Sequence, residues 1–266
     1  MRPAYPKKMR DKGDADTLGR AAMPWISFLA AVQFLTIAPP IIRRPFSAKE
    51  IGGAVAYFPL VGVILGAILA VTDTLLREIF PSPVRSALVL AIWVVLTGAL
   101  HLDGFLDSLD GLLGGATPEK RLAIMRDERV GAYALAGGVL LLLMKFSALL
   151  YLPDRGAGLL IAPTLSRWGM SLAIAAFPYA RPEGLGRMMK DQANWLHASM
   201  ATLITLAVAW TVGLLSGLLL MVVAAVGVIL GARFVITRIP GLTGDIYGAL
   251  NEIIEILVLL VWEILH

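Results

Sequence analysis

The apolar tract 198–237 limits what this chain can become more than any other stretch. As one helix it would run to about twice the hydrocarbon thickness of a bilayer, so it must turn back on itself, most naturally near Gly213–Gly217. Similar runs occupy 52–72, 84–101, 131–151, 156–178 and 246–265. Backbone N–H and C=O groups in lipid must pair within the chain, which restricts such runs to helices. The expected fold is all-α: a polytopic helical membrane protein with about seven transmembrane helices. Of the 266 residues 58% are hydrophobic and 16% charged, and the mean hydropathy is +0.79, values foreign to a soluble domain of this length.

Composition also removes several chemistries. Without cysteine there are no disulfides and no thiolate metal sites. The three histidines show no HExxH spacing, which argues against zinc. No glycine-rich phosphate loop of the soluble type is present. The net charge of +4 is better explained by loop asymmetry than by nucleic-acid binding.

Residues 1–22 mix charges with Pro and Gly and read as a disordered tail. The remainder, 23–266, reads as a single integral membrane domain with no internal repeat. Residues 24–38 are apolar but short, and Pro39-Pro40 stops them; with the basic leader they could pass for a signal peptide, but the resemblance given below implies an interfacial or re-entrant helix. An amphipathic helix is expected to start with Thr117 as N-cap, Pro118 at its first position and Glu119 in its first turn.

Basic residues set the orientation. Counting loops from the first full span, one side carries Arg43, Arg44, Lys49, Lys120, Arg121, Arg126, Arg129, Arg181, Arg187, Lys190 and Arg238. The other carries Arg77, Arg85 and Arg155. The rich side should be cytoplasmic, and the basic tail (Lys7, Lys8, Arg10, Lys12) agrees only if 24–38 does not cross.

On that face lies His101-Leu102-Asp103-Gly104-Phe105-Leu106-Asp107-Ser108-Leu109-Asp110-Gly111. At helical spacing Asp103, Asp107 and Asp110 form one stripe roughly 60° wide, with His101 pointing nearly the opposite way unless the helix breaks at Gly104. Three carboxylates on one stripe repel each other and call for a hard cation such as Mg²⁺. Gly104 and Gly111 would leave the backbone open to a bulky anionic ligand. Arg126 and Arg129, one turn apart and flanking Asp127, suit phosphate oxygens; a local ion pair is the plainer alternative. Asp245 and Glu252 share a face of the last span, with Asn251 and Glu255 close by, and Arg167 is the expected internal counter-charge or phosphate ligand. Lys145 is also intramembrane, where it could simply snorkel.

These motifs together resemble the cobalamin synthase family (adenosylcobinamide-GDP ribazoletransferase). The resemblance rests on His101-Leu102-Asp103-Gly104, Asp107, Asp110-Gly111, Met125-Arg126-Asp127, Arg129 and Gly131. It extends to FLAAVQFLTIAPP early in the chain, FPLVG at 58–62, Ser166-Arg167, Glu183-Gly184-Leu185-Gly186, and Thr243-Gly244-Asp245 with Gly248, Ala249 and Glu252. Ala134 and Leu242 depart from the pattern, and 1–22 has no counterpart. The resemblance implies a magnesium-dependent transferase in the cytoplasmic membrane of a prokaryote, its site facing the cytoplasm. Its substrates would be adenosylcobinamide-GDP and α-ribazole or its 5′-phosphate, with GMP released. Catalytic candidates are Asp103, Asp107, Asp110 and Asp127. Candidate Mg²⁺ ligands are Asp103, Asp107, Asp110, Asp245 and Glu252, and candidate substrate contacts are Arg126, Arg129, Arg167, Thr243 and Asn251. The lipid bilayer is the other expected partner, and homo-oligomerisation stays open. Two alternatives share the charge pattern. A CDP-alcohol phosphatidyltransferase also clusters aspartates, but its spacing is absent here because Gly111 is followed by Leu-Leu-Gly-Gly. An ion-coupled transporter would show paired broken helices in two halves.

The charge asymmetry predicts that a reporter fused after Gly114 or Arg187 reads cytoplasmic and one after Pro153 external; an external signal at Gly114 would overturn the orientation.

Overall fold

The computed structural model describes residues 23–266, so the tail expected over 1–22 lies outside the described residues. Pro24 opens α1 (Pro24–Leu35). Gln33 then fastens the turn that follows, accepting from Ile42 N at 2.8 Å and donating to Ile42 O at 3.2 Å. Ser47 and Glu50 form a capping box at the start of α2 (Ala48–Ala54), and Arg44 holds Glu50 through both carboxylate oxygens. α2 runs through a 3₁₀ turn, Val55–Tyr57, into α3 (Phe58–Arg77). The continuous helical run Ala48–Arg77 is long enough to cross a bilayer.

The stretch 84–101 differs from expectation. α4 (Ser82–Leu96) stops early, and α5 (Leu100–Gly114) departs at 86° to it. Gly98 donates to Val95 O and Ala99 to Val94 O, each at 2.9 Å, which is a Schellman termination. Gly98 (φ 58°) and Ala99 (φ 55°) both adopt the left-handed conformation, and the paired reversal makes the corner. The aspartate stripe therefore lies on its own helix.

α6 (Pro118–Ile124) begins as expected, with Thr117 Oγ accepting from Lys120 N at 3.3 Å. α7 (Ala132–Tyr151) and α8 (Arg155–Ala176) follow, then the short α9 (Leu185–Gln192). Lys190 of α9 donates to Ile174 O and Ala175 O, both at 2.9 Å, and so satisfies the last carbonyls of α8. The long apolar tract turns at Gly213 (φ 108°), giving α10 (Trp195–Thr211) and α11 (Leu214–Ile236). α12 (Gly244–Leu265) closes the chain.

α8 is the central helix, packed between α3 and α12 with α10 and α11 alongside. Gly62 and Gly66 make the α3 contact possible. A Cβ on Gly62 would lie 2.3 Å from Pro163 O, and one on Gly66 would lie 2.7 Å from Leu159 O. Small residues four apart allow such backbone contact in a membrane, where helix association depends on close packing. α12 crosses α5 in the same way: a Cβ on Gly104 would meet Asp245 O at 2.8 Å, and one on Gly248 would meet His101 O at 3.1 Å. Gly111 packs on Met125 and Arg121. These stripe glycines thus serve helix contacts, where the sequence suggested open backbone for a ligand.

Among the described residues four helical runs are long and apolar enough to cross a membrane, or five if the bent α4–α5 pair is one span. The sequence predicted about seven. α10 is short for a span, and α12 carries Asp245, Glu252, Glu255 and Glu263. On the side poor in basic residues, Asp73 pairs with Arg155 at 2.6 Å and Arg85 at 3.5 Å, so one carboxylate is shared by two of that side's three arginines.

Gly66→Val should force α3 off α8. Its apparent melting temperature in detergent should fall by the equivalent of about 1–3 kcal/mol or more. Ile64→Val, at an exposed apolar position, should leave the melt unchanged.

Candidate active site

α5 stays helical through Gly104, so His101 and the aspartates face opposite ways as the spacing predicts. His101 is buried, while Asp103, Asp107 and Asp110 line a cavity of about 380 Å³. The facing wall is the loop between α6 and α7, from Met125 through Arg126, Asp127, Glu128 and Arg129 to Val130. Two segments therefore enclose one space, with the three stripe carboxylates on one side and a mixed wall of Arg126, Asp127, Glu128 and Arg129 on the other. Such a space suits an anionic ligand bound together with a cation.

The members differ in how far the fold occupies them. Asp110 accepts from Gly131 N at 2.6 Å and from Ala134 N at 2.9 Å, capping α7 where a helix N-terminus favours negative charge. A Cβ on Gly131 would lie 2.6 Å from Asp110 Oδ1, which explains the glycine there. Arg129 grips Asp127 with Nε at 3.0 Å and Nη2 at 2.8 Å, the local ion pair left open by the sequence. The Arg129 guanidinium holds the Asp127 carboxyl down at about 2. A carboxylate that weakly basic is a poor proton acceptor near neutral pH. Arg126 is exposed, and no hydrogen bond or ion pair occupies its side chain among the described residues.

The α12 candidates separate into two groups. Asp245 lies beside the stripe: its backbone touches Gly104, and its carboxylate and that of Asp103 repel one another. Its partner is Arg181, Nη2 to Oδ2 at 2.6 Å. Thr243 caps α12, its Oγ1 accepting from Ile246 N at 3.3 Å, and is fully buried. Asn251 and Glu252 lie deeper and do not reach the cavity. Glu252 accepts from Lys145 Nζ at 2.5 Å, and Asn251 Nδ2 donates to Glu255 Oε1 at 3.0 Å.

Arg167, expected as a phosphate ligand, belongs to this interior group and is completely buried. Its Nη1 donates to Glu255 Oε1 and, at 2.9 Å, to Ser166 Oγ; its Nη2 lies 3.3 Å from His101 Nδ1. Lys145 also donates to Glu255 and sits 5.0 Å from the Trp93 ring centroid. It does not snorkel, because α12 brings two carboxylates to it. Lys145 and Arg167 against Glu252 and Glu255 make a group of zero net charge.

Among the described residues no three Asp, Glu or His side chains converge as a ready-made metal cage. Mg²⁺ does not require one, since it characteristically takes one or two carboxylates plus substrate phosphates and water. Asp103 and Asp107 on the cavity wall fit that mode, with Asp245 adjoining. Glu252, paired with Lys145, does not.

A family model described as cobalamin-5-phosphate synthase matches residues 27–263. The chain belongs to the cobalamin-5-phosphate synthase family. Proteins named adenosylcobinamide-GDP ribazoletransferase are similar over most of their length. The protein from Desulfitobacterium hafniense (strain Y51) is 38% identical over 238 residues, covering 86% of this chain and 93% of the relative. That of Pseudomonas putida (strain GB-1) is 40% identical over 244 residues, covering 88% and 97%. No solved structure matches. Membership in the cobalamin-5-phosphate synthase family sets aside the phosphatidyltransferase and transporter alternatives. The sequence alone presents Arg181 only as a loop charge. No local spacing links it to Asp245, 64 residues later. The link is made by the loop pairing, in which Ala180 N donates to Leu242 O and Leu242 N to Pro178 O, each at 2.8 Å.

Removing one member of the interior network should be worse than removing a matched pair. Lys145→Met should cost about 3–5 kcal/mol, because it leaves an uncompensated buried carboxylate. Lys145→Met with Glu252→Gln restores neutrality and should regain part of that loss, measurable by thermal unfolding in detergent.

Proposed function

We propose that this protein is an integral-membrane transferase that joins adenosylcobinamide-GDP to α-ribazole or its 5′-phosphate and releases GMP. The relatives' name supports the substrates. The observation that carries the chemistry is the cavity itself, with Asp103, Asp107 and Asp110 opposite Arg126 and Arg129. A ribazole hydroxyl attacks the phosphorus attached to the cobinamide side. A new P–O bond forms, the bridging P–O bond to GMP breaks, and the hydroxyl proton passes to a base. An aspartate of the stripe serves as that base. Arg126 steadies the diphosphate, while Arg129 stays paired with Asp127 on the same wall. Mg²⁺, held by Asp103 and Asp107, would neutralise charge on the bridging and leaving oxygens.

We further propose seven crossings, by α3, α4, α7, α8, α10, α11 and α12. In α12 the buried carboxylates are matched by Lys145 and Arg167, which offsets what its composition loses in hydropathy. Basic loops then put the cavity at the cytoplasmic face of a prokaryotic membrane.

Purified protein given adenosylcobinamide-GDP, α-ribazole and Mg²⁺ should release GMP. Asp107→Asn should lower that rate by orders of magnitude while the melting temperature shifts little. A near-normal rate at saturating Mg²⁺ would remove the stripe from the site.

A further inference from the structure

Arg181 is unlike the other loop arginines of its face. Its side chain is 14% exposed, against 88% for Arg129, and it faces Asp245 rather than solvent. The backbone beneath it is fixed. Pro178 and Ala180 pair with Leu242, and Gly241 and Gly186 pack closely on Pro178 and Tyr179. The Tyr179 ring lies 6.0 Å from that of Tyr247. A long side chain on so rigid a base has already lost much of the freedom that binding would otherwise remove.

The Arg181–Asp245 pair is also incomplete. A guanidinium and a carboxylate can join through two parallel hydrogen bonds, yet here only Nη2 reaches Oδ2. Arg181 Nε is buried with no hydrogen-bond partner among the described residues. A buried donor left unsatisfied is costly, and a ligand offering oxygens would satisfy it. Such a ligand has reason to come here. Asp245 adjoins Asp103, which lines the cavity, and the Tyr179 phenol feels the charges of Arg181, Asp245 and, more weakly, Arg126 from the facing wall. Burial pushes that phenol up, while the Arg181 guanidinium opposes the rise.

We propose that Arg181 binds a phosphate of the diphosphate substrate and that its ion pair with Asp245 is the resting form of a latch. On binding, the guanidinium exchanges the carboxylate for phosphate oxygens. Asp245 then turns to the cation side of the site, beside Asp103. With a cation bound, each charge keeps an opposite partner, so the exchange leaves none uncompensated. The inference rests on the transferase assignment and adds a phosphate-binding arginine to it.

The latch predicts opposite signs for its two halves. Labelled GDP is the probe, measured by equilibrium dialysis with EDTA and again with Mg²⁺, on protein shown to be monodisperse. Arg181→Ala should weaken GDP binding at least tenfold in both conditions. Arg181→Lys keeps the charge but loses the fork, and should fall between. Asp245→Asn should tighten GDP severalfold in EDTA, because Arg181 is released and a repelling charge is gone, and should lose most of the gain from Mg²⁺. Misfolding cannot tighten binding, so that arm survives a fragile variant. Arg181→Ala binding GDP within twofold of wild type would overturn the inference, as would equal weakening by Arg181→Ala and Asp245→Asn in EDTA. In either case wild-type GMP release would keep the transferase assignment intact. Wild-type protein that releases no GMP would overturn the assignment, and the latch with it.

Discussion

Lys145, Arg167, Glu252 and Glu255 meet where α7, α8 and α12 converge, and the arrangement of those helices depends on their meeting. None of the four is stable alone at that depth. A bare ammonium or carboxylate in hydrocarbon is expensive, and together they cancel. The group also fixes geometry, because an ion pair at hydrogen-bond distance is lost if a helix slides by a turn. Through Arg167 it extends to His101, the residue on α5 opposite the aspartate stripe. The polar interior and the cavity thus share one helix, with the ion pairs on its inner face and the aspartates on its outer face.

The corner before α5 makes that arrangement possible. Had α4 continued straight, α5 would have extended its axis. The left-handed pair Gly98 and Ala99 turns the chain instead, so that α5 lies against α12. Gly104 and Gly248 bring the two backbones into contact. Asp245 then sits beside Asp103, and the α6–α7 loop closes over the stripe from the other side. Asp110 ties that loop to α5 by capping α7, so one member of the stripe builds the wall opposite the other two.

Much of this was legible from residue order. The spacing of Asp103, Asp107 and Asp110 gave their common face, and Thr117-Pro118 gave the start of α6. The reversal near Gly213 followed from length alone. These features are local: a helix repeats every few residues, and a cap or turn involves a handful of neighbours. Gly98 interrupts the run 84–101, a signal that the expected single span passed over. Arg167 and Arg181 show where residue order fails. Each is an arginine among apolar or loop residues, with nothing nearby to distinguish a structural ion pair from a ligand-facing group.

The sequence by itself determined that this is a helical membrane protein, which residues form its acidic stripe and which of its faces is basic. It could do so because hydropathy, helical period and loop charge are summed along the chain. Only the tertiary structure decided which charges serve the fold and which face the cavity. Arg167 and Glu252 went inward because Glu255 and Lys145 were waiting there, brought by other helices. Arg181 came to Asp245 because a loop pairing closed 64 residues of chain. A charge's role depends on its partner, and partners are chosen by packing between segments that no local pattern connects.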